Sequence, residues 1–281
     1  MSNPVFSNSD IFGDPRERAK ARKGAGTATA PSPYGQQAAY GNAPVDAASL
    51  NQLYEAPAAT TVQTGRMTYD DVIMKTGGLL ALLVVVGAAT WMIAPGLFFV
   101  GAIVGLVLGL VNAFKKNPSP ALIVAYTVAE GVFLGGISAI YESRYDGVVG
   151  QAVLATLAVF GAALFLFRSG KVRVTPKFTR FLIVAMVGYL AYSLINVVLM
   201  LVGVGGGEFG PLRSGALGIG VGLLAVGLAS MSLIMDFDSI KRGVEQGVPA
   251  KFAWSAAFGL IVTLVWLYLE LLRLLSILRG D

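Results

Sequence analysis

The sequence predicts an all-α integral membrane protein: a seven-transmembrane-helix bundle that follows a disordered N-terminal tail. Three observations predict it. The 281 residues are 55% hydrophobic and only 13% charged, with a mean hydropathy of +0.70, whereas a soluble domain carries about 25% charge. From Met74 onward, long apolar runs alternate with short polar gaps, and a spanning helix needs about 20 mostly apolar residues. The runs are continuous rather than alternating, which excludes a β-barrel reading.

Residues 1–66 read as a disordered cytoplasmic tail and residues 67–281 as the seven-helix transmembrane domain. Pro, Gly, Ser, Ala, Asn and Gln dominate the tail, as in the run Gly24 to Gln37. Such a stretch cannot bury enough apolar area to offset its ordering entropy. No apolar h-region of about 7–15 residues follows its start, so it does not read as a signal peptide. Its basic cluster of Arg16, Arg18, Lys20, Arg22 and Lys23 suits either solubility or attraction to anionic lipid. Asn3-Pro4-Val5-Phe6 and Ile11-Phe12 are a candidate short docking motif.

The seven expected spans are 74–94, 97–114, 120–141, 149–168, 179–203, 214–236 and 252–277. Ala94-Pro95-Gly96 separates the first two as a tight turn; fused, they would make a helix of some 40 residues, too long for one bilayer. Lys and Arg in short loops favour the cytoplasmic side. With the N-terminus inside, loops 115–119, 169–178 and 237–251 and their helix ends hold Lys115, Lys116, Arg168, Lys171, Arg173, Lys177, Arg180, Lys241, Arg242 and Lys251. The opposite side holds Arg144, Arg213, Arg273 and Arg279. This places the chain in the cell membrane with the N-terminus cytoplasmic and the C-terminus outside. The bias also accounts for the net charge of +5, which argues against nucleic acid as a partner.

Glycines recur every four positions: Gly101, Gly105 and Gly109 on the second helix, Gly131 and Gly135 on the third, Gly218 and Gly222 on the sixth. That spacing lines one helical face and lets backbones approach closely. It suits a tight bundle, and also helices that slide during gating.

The intramembrane carboxylates carry the chemistry, because a charge inside a bilayer is costly and usually functional. Glu130 sits near the middle of the third helix with no basic residue within one turn. Asp236 and Asp238 sit at the cytoplasmic end of the sixth, where they could cap the helix beside Lys241 and Arg242. Glu270 sits well inside the seventh, where Arg273 lies three residues on and on the same face. The chain has neither histidine nor cysteine. Carboxylates are therefore its obvious proton sensors, since facing carboxylates share a proton. Oxygen ligands also suit hard cations such as Ca²⁺. Asn112, Tyr192 and Asn196 are candidate linings for an interior path.

The chain resembles the Bax-inhibitor family (transmembrane Bax-inhibitor-motif proteins) in its bacterial branch. The resemblance spans about residues 67–279. It rests on the seven-helix pattern after a variable tail, Ala129-Glu130-Gly131-Val132-Phe133-Leu134-Gly135, Asp236 with Ile240, and the run Leu267 to Leu275. It implies a bundle with the last helix at its centre, and a pH-sensitive Ca²⁺ leak gated by two acids from the sixth and seventh helices. Carried over, these are Asp236 and Glu270, which the resemblance also makes candidate Ca²⁺ contacts. Three departures accompany it. The sixth-helix motif, usually Asp-Thr-Gln, reads Asp236-Phe237-Asp238, so Asp238 competes for the role. The last-helix acid is Glu rather than Asp. The two acids lie further apart in sequence than the usual pair. Glu270 rises about 27 Å from Phe252 on a straight helix while Asp236 stays near the cytoplasmic face, so a Glu130–Glu270 pair is the alternative.

Three function classes follow. A cation leak takes lipid, protons and Ca²⁺ as its partners, with Ca²⁺ as cargo and no cofactor. A non-conducting regulator would bind other membrane proteins, restraining a protease or modulating a stress response. An enzyme is not expected: without histidine there is no Ser-His pair and no HExxH zinc site, no GxxxxGK[ST] loop occurs, and Gly203-Val204-Gly205-Gly206-Gly207 reads as a flexible linker. An intramembrane aspartyl dyad is compatible with the composition but would need carboxylates at one depth.

Overall fold

A computed structural model describes residues 65–204 and 209–280; the expected disordered tail lies outside the described residues. Seven helices follow in order: α1 Tyr69–Ile93, α2 Phe98–Phe114, α3 Pro120–Arg144, α4 Val148–Arg168, α5 Pro176–Leu201, α6 Gly215–Glu245 and α7 Ala253–Gly280. All are long and apolar enough to cross a membrane, α2 together with the 3₁₀ turn Pro95–Leu97 before it. Local chemistry sets the starts. Thr68 and Asp71 form a reciprocal capping box at α1, satisfying amides that the helix leaves orphaned. Pro120 and Pro176 open α3 and α5, where the missing N–H costs nothing.

The bounds match the expected spans to within a few residues, save one. The sixth was expected to end at Asp236, but α6 runs on to Glu245. The polar stretch read as a loop contains no glycine or proline up to Arg242, so nothing in it breaks a helix, and Arg242 pairs with Asp238 one turn back at 2.9 Å. Gly247, at φ +63, ends the run in a conformation that suits glycine.

Helix α7 is the axis of the bundle. Of its most apolar stretch 78% is buried, against 11–17% for α1, α2, α4 and α5. It packs against α6, α4, α1 and α3, and its apolar residues on all sides follow from that position. Helix α2 lies at the rim and packs on α3. The glycine spacings are contact faces. A Cβ on Gly101 would meet Phe133 N at 2.6 Å, and one on Gly135 would strike the Gly87 backbone.

Loops 115–119, 169–175 and 246–252 gather at one end, here the basic end. Lys251 donates to Asn117 there at 2.9 Å, and Arg66 bridges to Pro249. Because of its contact with the Gly87 backbone, Gly135→Ala should lower the unfolding free energy in detergent by about 1–3 kcal/mol. Gly150→Ala, with nothing within 4 Å, should leave it unchanged.

Candidate functional site

Glu270 is the most heavily bonded carboxylate among the described residues. It is 4% exposed and accepts from both terminal nitrogens of Arg273, from the Tyr189 hydroxyl of α5 and from Trp266 Nε1 at 3.3 Å. Arg213 Nη1 lies 3.9 Å away. Arg213 also donates to Tyr189 Oη at 2.6 Å and to Ser193 Oγ, and its guanidinium stands 5.1 Å from the Tyr189 ring centre. A buried ion persists when it is paired and its remaining sites are hydrogen-bonded. Two guanidiniums, a phenol and an indole meet that condition for Glu270.

Arg213 reaches this depth because the segment before α6 folds back into the bundle. Asn196, five residues before the end of α5, donates to Phe209 O at 2.9 Å and accepts from Leu212 N at 3.0 Å. Tyr192 donates to Leu212 O. Irregular backbone at membrane depth survives only where protein groups satisfy it, and Asn196 and Tyr192 do so here. They were expected to line an interior path; their polar atoms are instead spent on this re-entrant segment. Asn112 likewise donates to Leu108 O and Leu122 O, joining α2 to α3.

Asp236 has different surroundings. Because α6 continues past it, it lies about 14 Å inside the basic end of that helix, not at the helix terminus. Its Oδ2 accepts from Thr263 Oγ1 of α7 at 2.7 Å, and among the described residues no Lys or Arg pairs with it. It stands at the deep end of a groove of about 320 Å³ lined by Ser239, Ile240, Gly243, Val248, Phe252 and Ser255, among others. Asp238, the competitor, is turned to Arg242.

The structure does not bring Asp236 and Glu270 together. Thr263 marks the level of Asp236 on α7, and Glu270 lies two turns, about 10 Å, further along. The alternative pair fares no better. Glu130 neighbours Tyr126 and faces α2, where a Cβ on Gly105 would stand 2.8 Å from its Oε1. Glu270 faces α5. The Tyr126–Phe258 ring contact and the Ser138–Tyr268 hydrogen bond of 2.7 Å register α3 against α7. That register puts Glu130 level with about Ile261, nearer in depth to Asp236 than to Glu270. The expectation of similar depths for Glu130 and Glu270 assumed unregistered helices; parallel packing of α3 on α7 corrects it. Among the described residues no group of three or more acids could hold a metal ion.

Sequence reasoning missed Thr263, Trp266, Tyr189 and the inward course of Arg213. A signal for the first two exists. Gly259, Thr263, Trp266, Glu270 and Arg273 fall at alternating intervals of four and three, which places them on one face of a helix. Glu270→Leu should cost about 3–5 kcal/mol by leaving buried guanidiniums uncompensated. Adding Arg213→Met and Arg273→Met should recover most of the loss, as read by thermal unfolding in detergent.

A family model described as Bax inhibitor 1 like matches residues 3–280. No curated protein matches the chain. With seven membrane-length helices, α7 among them as the axis, and a family match over essentially its whole length, the chain belongs to the Bax inhibitor 1 like family.

Proposed function

We propose that this membrane protein is a proton-sensitive Ca²⁺ leak of the cell membrane, with Asp236 as its titrating group. The single observation that supports it most is the setting of Asp236: a carboxylate at membrane depth, at the end of a groove, held by a hydroxyl and no cation among the described residues. Such a charge is expensive to keep without a function. Ionised, it draws a cation into the groove; protonated, it leaves the groove neutral. One carboxylate with Ser239, Ser255 and Thr263 nearby falls short of the 6–8 oxygens of a tight Ca²⁺ site, which suits a cargo that must also leave.

In this reading the other acids divide by surroundings. Glu270, between two guanidiniums, anchors the bundle rather than gates it. Glu130, without a cationic partner among the described residues, sits against Gly105 of α2 and outside the groove. Asp238 belongs to the basic end with Arg242. The basic end faces the cytoplasm by the bias of Lys and Arg, so the N-terminus is inside and the C-terminus outside. We assign no catalytic role, since an acid dyad needs carboxylates that share a proton, and Asp236 and Glu270 are two turns apart.

Ca²⁺ entry into proteoliposomes, measured from about pH 5 to about pH 8, tests this. Asp236→Asn carries the neutral form at every pH. Its flux should be flat and equal to that of the unmodified protein at the acid end, where Asp236 is protonated. Absence of flux at any pH, from protein shown to be folded and inserted, would discard the leak in favour of a non-conducting regulator that binds other membrane proteins.

A further inference from the structure

A short segment of chain crosses the basic end of the groove beside Asp236. Its lining is ordered by helix geometry: Asp236 and Gly259 lie at the deep end, Ser239, Ile240, Ser255 and Ala256 between, and Gly243, Val248 and Phe252 near the basic end. From Gly243 to Asp236 is two turns of α6, about 10 Å. The segment Gly65–Met67, just ahead of α1, lies across that basic end. Met67 N donates to Val248 O at 2.8 Å, and Ala250 N donates to Gly65 O at 2.8 Å. Arg66 and Pro249 form an isolated antiparallel bridge.

The Met67 side chain is buried and lines the groove. It fills a notch that exists because residue 243 is glycine: a Cβ there would stand 2.6 Å from Met67 Cε. A second glycine serves the same contact, since a Cβ on Gly247 would stand 3.2 Å from Arg66 Cδ. The strap is therefore held by two backbone hydrogen bonds, the Arg66 contact at Gly247 and the Met67 side chain in the core beside Val248 and Phe252, while the capping box at Thr68 and Asp71 fixes the helix behind it. A three-residue segment attached by two backbone hydrogen bonds and two side chains opens at a lower free energy than the helices around it. Residues 1–64 run directly into the strap.

We infer that the Gly65–Met67 strap is a movable stopper that controls access from the basic end to Asp236. This deepens the proposed leak, on which it rests for its physiological meaning, by naming the element that opens the path. The chain has no cysteine, so one introduced thiol is a unique probe. Gly259→Cys is the position of choice, because a Cβ there meets only Asp236 Oδ1, at 3.9 Å.

The experiment measures how fast a small cationic methanethiosulfonate modifies Gly259→Cys in the full-length protein in proteoliposomes. Three forms are compared: the intact strap, Met67→Ala, and a strap locked by an oxidised Arg66→Cys/Pro249→Cys pair. Antiparallel bridge partners are spaced for a disulfide. Met67→Ala should raise the rate roughly tenfold, and the locked strap should lower it by a similar factor, as expected when access follows a local opening. Rates equal within about twofold across the three forms, against that expected spread, would overturn the inference. The locked form keeps every groove residue, so a poorly folded Met67→Ala does not leave the question open. Ca²⁺ flux is read on the same vesicles. Labelling that follows the strap without flux would keep the stopper and discard the leak; flux without strap-dependent labelling would do the reverse.

Discussion

The ion cluster around Glu270 sets the geometry of the rest of the bundle. Its carboxylate draws Arg213 inward from the segment before α6, and Asn196 and Tyr192 satisfy the backbone that comes with it. Helix α6 therefore starts level with the end of α7, with Gly218 against Ile277 and Gly222 against Leu274. That starting depth, with the 31 residues of the helix, determines which part of α6 meets α7 at each level. Asp236 arrives opposite Thr263 because Gly215 begins where it does. Electrostatics at one end thus fixes the depth of a carboxylate several turns away, and it does so in a medium where an unpaired charge is expensive.

Much of the architecture was legible in the sequence because its causes are local. Hydropathy gave the number of spans, Pro and Gly gave the breaks, and glycines at intervals of four gave the faces that α2 and α3 bring together. The end of α6 was not legible, since Phe237 to Arg242 is polar enough to resemble a loop yet holds no glycine or proline to break the helix. The candidate site was half legible. Asp236, Glu270 and Glu130 stood out as charges in apolar runs, and the Glu270–Arg273 contact follows from their spacing. Their pairing with other helices depends on register and on the inward fold of residues 209–213. Neither is written in the residues around each acid. Arg213, by position, reads as an ordinary loop cation.

Two kinds of polar group coexist in the membrane body. Glu270, Arg273, Arg213, Asn196 and Tyr192 are bonded in several directions and serve cohesion. Asp236 and Glu130 have few partners among the described residues and lie beside glycines, Gly259 and Gly105. The small neighbour leaves room at the carboxylate in the first case and brings α2 onto it in the second. Burial alone does not separate these classes; the number and charge of the partners does.

The stripe Thr263, Trp266, Glu270 and Arg273 on one side of α7 has a mechanical meaning. Thr263 holds Asp236 of α6, and Glu270 holds Tyr189 of α5 and Arg213. A turn of α7 about its own axis would break both engagements at once. The central helix is thus keyed like a shaft in a slot, stiff to torsion at two heights. Motion that widens the groove beside Asp236 must come from its neighbours tilting away from this fixed spindle.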